Sequence, residues 1–447
     1  MKLTILGGGG FRVPLVHGAL LRETAERRVR RVVLHDVDAD RLAVIADVLR
    51  DQAVHLQRNG IEPPQLHITT DLRDALVEAD FVFSAIRVGG AQDRVADERV
   101  ALDAGLLGQE TTGPGGIAYG LRTVPVAVRI AELIAEVAPQ AWVINFTNPA
   151  GLITQAMQQV LGRRVIGICD SPLGLANRAA RALGRELSEL TVDYAGLNHL
   201  GWLNSLRTPA GDDLLPQLLT DATALLSIEE GALFGPDWLR DLGAMPNEYL
   251  YYYYFTRDAI EQIRAAEHSR GEYLVAQQDR FYSGAGSWQR WDAVRQQRNA
   301  TYMQETRTEH GDERHEQDVE GGGYEGVALA LMAALSRDEP ARLILNVRNG
   351  FALPGLPEDA VVEVPCRVDA SGPEPEAVTP LRGHQLGLVQ QVKAVDELVI
   401  EAALSGSPER AVQAFALHPL VDSVNVARAL LSGYRARIPT LDAVFQA

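Results

Sequence analysis

The chain has 447 residues, 46% hydrophobic and 23% charged, a balance that fits folded domains and excludes a disordered tail or a fibrous repeat. Its 42 Lys and Arg against 59 Asp and Glu leave a formal charge of −17, a field that repels phosphate backbones and anionic lipid, so neither nucleic acid nor a membrane is an expected partner. Apolar stretches fall short of the roughly 20 residues of a membrane-crossing helix, no signal-peptide pattern precedes the first glycines, and two cysteines cannot supply a disulfide framework, so a cytoplasmic setting is expected.

Lys2–Leu6 is a short β-prone run, Gly7, Gly8, Gly9 and Gly10 must turn, and 13–27 carries apolar residues at helical spacing with Pro14 near its start. A second strand, Arg31–His35, ends in Asp36, and 40–58 is again helical with Leu42, Ile45, Leu49 and Leu56 on one face. Further β-prone runs at 66–69, 81–86, 142–146 and 165–169 alternate with helices, the order that builds a parallel sheet covered on both faces. The expected fold is therefore α/β: a Rossmann-like, doubly wound parallel sheet over 1–195, followed by an α+β region over 196–447. Lactate and malate dehydrogenases share this kind of architecture. In the second region helices are predicted over 237–307, with a charged break at 308–320 and a glycine hinge at 321–323. Beyond these, a helix is predicted at 324–335, strands at 343–347 and 361–368, a loop at 369–380, and helices at 386–405, Pro408–Leu417 and 421–435.

Strand, glycines, helix, strand and acid in this order have the layout of a dinucleotide site. Backbone N–H groups from Gly7 to Gly10, Phe11 and Arg12 would face a pyrophosphate, and Asp36 would accept from a ribose. Arg12 stands where the third fingerprint glycine belongs, so the G-x-G-x-x-G match is incomplete. Asp36 favours NAD over NADP, and Arg41 nearby softens that preference.

Arg87-Val88-Gly89-Gly90 and the glycine-rich segment 108–116 around Glu110 lie past a strand or between helices, where irregular backbone usually faces the crevice. Arg87 could clamp an anionic or hydroxylated substrate, whereas Glu110 alone reads as an ordinary solvated carboxylate. Asn148 follows a strand and precedes Pro149, which makes it a helix cap with a substrate contact still open. Cys169-Asp170 and Asn198-His199 both close predicted strands, and a thiolate with an imidazole suits a borderline divalent ion whose open positions would take substrate oxygens. Isolated Cys and His are more often buried structural residues, and Cys366 keeps that reading, whereas His310 and His315, five residues apart in a charged stretch, read as ordinary residues of a solvated loop. Residues 249–254 hold five tyrosines in six positions, mostly for packing, although one could act as a base beside a cation. Arg270 is either an anion contact or a surface-helix residue.

Taken together, GGGGFRVPLV, RVGG, GLLGQETTGPGG, NFTNPAG, GICDSP, GLNHLGW, PNEYLYYYY and VPCRV resemble, in order and spacing across nearly the whole chain, the NAD- and manganese-dependent family 4 glycoside hydrolases. Within that family the GQETTGPGG loop and the PNEYLYYYY segment look most like 6-phospho-β-glucosidases. The resemblance implies Cys169 and His199 as manganese ligands, Tyr249 as catalytic base, Glu110 as the residue supporting that tyrosine, and Asp170 as proton donor. It further implies Arg87, Asn148 and Arg270 as substrate contacts, with a phosphorylated disaccharide or glucoside as substrate and a homodimer or homotetramer as assembly. Asp170 departs from the Asn of some β-specific members and matches the Asp common in α-specific ones. The implied chemistry is oxidation at sugar C3, elimination across C1–C2, water addition and re-reduction, an exception to the two-carboxylate scheme of most glycosidases. An α-specific or non-phosphorylated glycosidase of the same family, a lactate/malate-type dehydrogenase and a non-catalytic NAD-binding sensor are the competing expectations.

Overall fold

In the computed structural model, which describes residues 1–56, 62–301 and 323–446, one sheet runs through both halves of the chain. Its parallel part has β1 (Lys2–Leu6) at the centre, flanked by β2 (Arg31–His35) and β3 (Gln65–Thr69) on one side. On the other side lie β4 (Phe81–Ser84), β5 (Trp142–Asn145) and β6 (Val165–Gly167). The order β3-β2-β1-β4-β5-β6 is that of a dinucleotide-binding sheet. β1 and β4 are buried along their whole length, as continuous apolar runs covered by helices on both faces require.

Past β6 the sheet continues antiparallel. β7 is Thr191–Leu197, β8 Leu200–Arg207, β9 Met245–Pro246, β10 Ala341–Arg348, β11 Val361–Asp369 and β12 Gly372–Pro375. Spatially, β10 follows β6, then come β11, β7, β8 and β9. β10 meets β6 through the single pair Asn346–Gly167, and β11 meets β7 through Glu363–Gly196. The expected division at 195/196 thus falls within β7.

Several sequence expectations are corrected. The first helix, Val13–Arg22, stops short of 27 because the chain turns extended at Glu23 once its buried face ends at Leu21. β8 was not expected: LGWLNSLR is buried on both sides, so it lacks the alternation that marks a half-exposed strand. The acidic, Pro-rich loop at 369–380 contains β12, whose Pro373 and Pro375 sit on a sheet edge where a missing N–H is tolerated. The charged break at 308–320, most of the 321–323 hinge, His310 and His315 lie outside the described residues.

The C-terminal helices return to the first half. Val395, Val399, Phe415 and Leu430 share one buried apolar cluster with Ile117, Leu121 and Val124 of the helix Pro114–Val137. Among the described residues no helix is long and apolar enough to cross a membrane.

Candidate active site

The glycine turn is dictated by crowding. Gly7 has φ +79, and a Cβ there would lie 2.5 Å from the Ala85 carbonyl oxygen; one on Gly8 would lie 2.7 Å from Leu34 Cβ. The Gly9 N–H donates to Asp36 Oδ2 at 2.9 Å, so the acid that ends β2 is held against the turn. A Cβ on Gly9 would lie 3.0 Å from that same oxygen, which makes the turn and the acid a cradle that glycine keeps open. The helix that follows starts at Val13 with Arg12 in the capping position, and the Val13 N–H donates to the Gly10 carbonyl at 3.1 Å, so the positive end of the helix dipole meets the turn. These features fit a dinucleotide. Phe11 is buried against Phe281 and Trp291, and the Tyr282 hydroxyl donates to the Gly9 carbonyl at 2.7 Å. Arg41 lies 3.9 Å over the Tyr282 ring and donates to Gln278, so the helix Arg270–Tyr282 is fastened to the cofactor side of the sheet.

From this turn a cleft of about 1450 Å³ extends over the carboxyl ends of the parallel strands. Gly7, Gly10, Phe11, Arg12, Asp36, Arg41, Arg87, Glu110, Asn148, Cys169, Asp170, His199, Tyr249 and Arg270 all line it. Of the residues singled out in the sequence, Gly8 and Gly9 support the cleft without lining it.

Glu110 is not the solvated carboxylate its local sequence suggests. It is mostly buried, with Arg87 Nη2 at 2.6 Å and Arg94 Nη1 at 2.9 Å. Burial alone would raise its pKa, but the two guanidiniums outweigh it and hold the carboxyl at about 2. Beneath this trio Arg122 grips Asp97 with two hydrogen bonds of 2.8 and 2.7 Å and donates from Nε to the Val88 carbonyl, fixing the turn that carries Arg87.

Asn148 does not cap a helix. The Asn148–Pro149 bond is cis, the helix is Ala150–Leu161, and Pro149 occupies the capping position, which leaves Asn148 on the cleft wall. Cys169 and Asp170 follow β6 and lead into the helix Ser171–Ala182, with the thiol 3.9 Å from Asp170 Oδ1. Burial pushes the Cys169 thiol well up, and the Glu363 and Asp170 carboxylates add to the effect. His199 sits in the two-residue turn between β7 and β8 at φ +63. Burial lowers its pKa to about 4 against the pull of Asp170 and Glu110, so the imidazole is neutral at pH 7 and able to accept a cation. Its Nδ1 is 3.2 Å from Thr111 Oγ1.

Tyr249 lies in a 3-10 turn, Glu248–Leu250, whose start is pinned by the Asn247 side chain accepting from the Tyr249 N–H. Its ring stacks face to face on His199, centroids 3.6 Å apart and planes 3° from parallel. The neighbouring Glu248 accepts from Ser171 at 3.0 Å, tying the tyrosine turn to the Cys169–Asp170 turn. Tyr251 is buried in the packing, as expected of most of the tyrosine cluster, and Tyr252, also buried, borders the cleft. Among the described residues no group of three or more His, Cys, Asp and Glu could hold a metal ion. A thiol and an imidazole at an open cleft nevertheless fit an ion completed by substrate oxygens, whose charge would reverse the burial penalty on the thiolate.

Sequence reasoning named Arg12, Arg87 and Arg270 but missed Arg94 and Arg298. Arg12, Arg94, Arg270 and Arg298 all line the cleft. Burial first, then the charges of Arg12, Arg270 and Arg94, push the Arg298 pKa well below its ordinary value. Arg270 donates to the Thr301 and Arg298 carbonyls, which orders it at the cleft rather than on an outer helix face. Arg12, Arg94, Arg270 and Arg298 act on one another here, a local cluster of guanidiniums in a cleft whose lining also holds Asp36, Asp170, Asp279 and Asp292.

Fold and cleft together define a Rossmann-type α/β protein whose second half completes a charged cleft above the strand ends. Residues 2–185 match the description "Family 4 glycosyl hydrolase", and residues 194–421 match its C-terminal domain. The chain belongs to that family. It is 31% identical over 441 residues to a probable 6-phospho-β-glucosidase of Bacillus subtilis, covering 96% of this chain and 95% of the relative. It is 30% identical over 451 residues to a 6-phospho-α-glucosidase of Leptotrichia buccalis, covering 96% of each. A solved 6-phospho-β-glucosidase from Thermotoga maritima, crystallised with manganese, NAD+ and glucose-6-phosphate, superposes with a TM-score of 0.82 at 25% identity over 98% of both chains.

Proposed function

We propose that the chain hydrolyses 6-phospho-β-glucosides by a redox-assisted elimination, with residues 1–195 forming the NAD-binding domain and residues 196–447 contributing His199, Tyr249 and Arg270 to a substrate and metal site shared with it. The observation that carries this reading is the Tyr249 ring stacked on His199 in the cleft that also holds Cys169, Asp170 and the glycine turn. Bound NAD would supply a reversible hydride acceptor, and a divalent ion held by Cys169 and His199 would supply Lewis acidity.

The residues divide the remaining work. Tyr249 removes the proton from sugar C2 once C3 is a ketone, since that carbonyl acidifies the neighbouring C–H. Asp170 gives a proton to the departing O1. Glu110 holds Arg87 and Arg94 in place and adds negative charge near His199. Arg87 and Asn148 hold sugar oxygens, while Arg270, with Arg12 and Arg298, favours the phosphate dianion.

A second reading, α-anomer specificity, draws on Asp170 beside Cys169 and on the α-glucosidase relatives. Paired α and β nitrophenyl glucosides, with and without 6-phosphate, assayed with NAD+, Mn²⁺ and thiol, test both. The expected result is cleavage of the 6-phospho-β compound without net NADH. Cleavage of the α partner alone selects the second reading, and accumulating NADH would reject both in favour of a dehydrogenase.

A further inference from the structure

Glu363 stands in the middle of the apolar strand β11 and is 0% exposed. Burying a carboxylate is costly unless its oxygens are satisfied, and here every donor comes from a residue outside the roles assigned above. Oε1 accepts from Asn346 Nδ2 at 2.8 Å and from Asn198 Nδ2 at 3.3 Å, and Oε2 accepts from the Tyr194 hydroxyl at 3.2 Å.

These partners mark the seams of the sheet. Asn346 forms the single β10–β6 pair with Gly167, close enough that a Cβ on Gly167 would lie 2.7 Å from Asn346 Cβ. Glu363 itself forms the single β11–β7 pair with Gly196. Cys169 comes two residues after Gly167, and Asn198 directly precedes His199. The backbone therefore gives each seam one residue pair, and the side-chain knot around Glu363 ties β10, which carries the pair to β6, to β11, β7 and the turn after β7. With that pair it joins the segment that delivers the thiol to the segment that delivers the imidazole. Apolar side chains of similar volume would serve simple stability at least as well as a buried carboxylate.

We infer that Glu363 is a positioning residue, whose contacts with Asn346, Asn198 and Tyr194 fix the separation of Cys169 and His199 before an ion binds. The inference rests on the assignment of those two residues as ligands under the proposed function. A metal ligand pair set by partners one shell out loses affinity when those partners are removed, whereas the dinucleotide cradle at β1 and β2 lies outside the knot.

The test titrates the full chain with Co²⁺, reading the thiolate-to-cobalt absorption band and the Co²⁺ Kd, with the NAD Kd measured alongside. Wild type should show the band and Cys169→Ser should lack it; a wild type without the band removes the ligand assignment itself. Glu363→Ala should weaken Co²⁺ binding about 10- to 100-fold and alter the band, with the NAD Kd within about twofold. Glu363→Gln, which keeps an acceptor for both asparagines, should recover Co²⁺ affinity to within about threefold of wild type. Should Glu363→Ala not fold, Asn346→Ala removes the 2.8 Å link from β10 to Glu363 while keeping the backbone pair with Gly167, and should weaken Co²⁺ about tenfold with NAD binding retained. A normal band with wild-type Co²⁺ affinity in the alanine variant that folds, or equal losses for Co²⁺ and NAD, or no rescue by Glu363→Gln, would overturn the inference while leaving the ligand assignment intact.

Discussion

Replacing Glu110 by Gln removes the charge between Arg87 and Arg94 while keeping the shape of the protonated acid. In the folded chain the two guanidiniums hold this carboxyl at about 2 against an ordinary 4.5. That displacement corresponds to about 3 kcal/mol of folding stability at neutral pH. Because the folded value is depressed, the stabilisation is complete above the unfolded value of 4.5 and is lost as pH falls through the folded value near 2. At pH 3 the difference between wild type and Glu110→Gln should therefore shrink to about 1 kcal/mol. Urea unfolding of both proteins at pH 7 and pH 3, followed by tryptophan fluorescence, reads the two differences directly. A gap that is absent at pH 7, or that fails to narrow with acid, would refute the assignment of the ion-paired trio as a stabilising unit.

Three further expectations follow from the same geometry. Tyr249→Phe should lower kcat by at least about a hundredfold, the contribution of a general base, and leave the NAD Kd unchanged by calorimetry. Cys169→Ser should weaken Mn²⁺ binding and activity together, because a hydroxyl poorly replaces a soft thiolate; equal Mn²⁺ affinity would remove Cys169 as a ligand. Asp97→Asn leaves the buried Arg122 with only the more distant Asp93 carboxylate, 3.8 Å away, and should cost about 3 kcal/mol in denaturant unfolding; a change within error would refute the Arg122–Asp97 pair as a stabilising contact.

The first half of the fold was legible because its signals are local. Lys2–Leu6, the four glycines and Asp36 lie within one short stretch, and continuous apolar runs spell out a sheet covered on both faces. The second half was harder to read. β8 is buried on both sides and leaves no period, and β12 hides in a segment whose prolines argue for a loop. Cys169, His199 and Tyr249 stood out as unusual residue types at strand ends or in a dense tyrosine cluster. Arg94, Arg298 and Glu363 did not, because a buried arginine or glutamate has no sequence mark apart from partners far along the chain. Glu363 reads locally as one acid in a valine-rich strand, and only the folded seam shows its three donors. Asn148 was misread because Asn before Pro is a good helix start, whereas the chain delays the helix by one residue.

The apolar face of Pro114–Val137 is closed by helices from the far end of the chain, Gly383–Ser405, Pro408–Leu417 and Val424–Arg437. During synthesis, the early sheet and its helices therefore leave the ribosome with a greasy flank bare until almost the last segment has emerged. Such a nascent chain has a long interval in which to stick to its neighbours, so cells that make it in quantity should lean on holdase chaperones, and C-terminal deletions should be recovered as inclusion bodies rather than as a free cofactor-binding half.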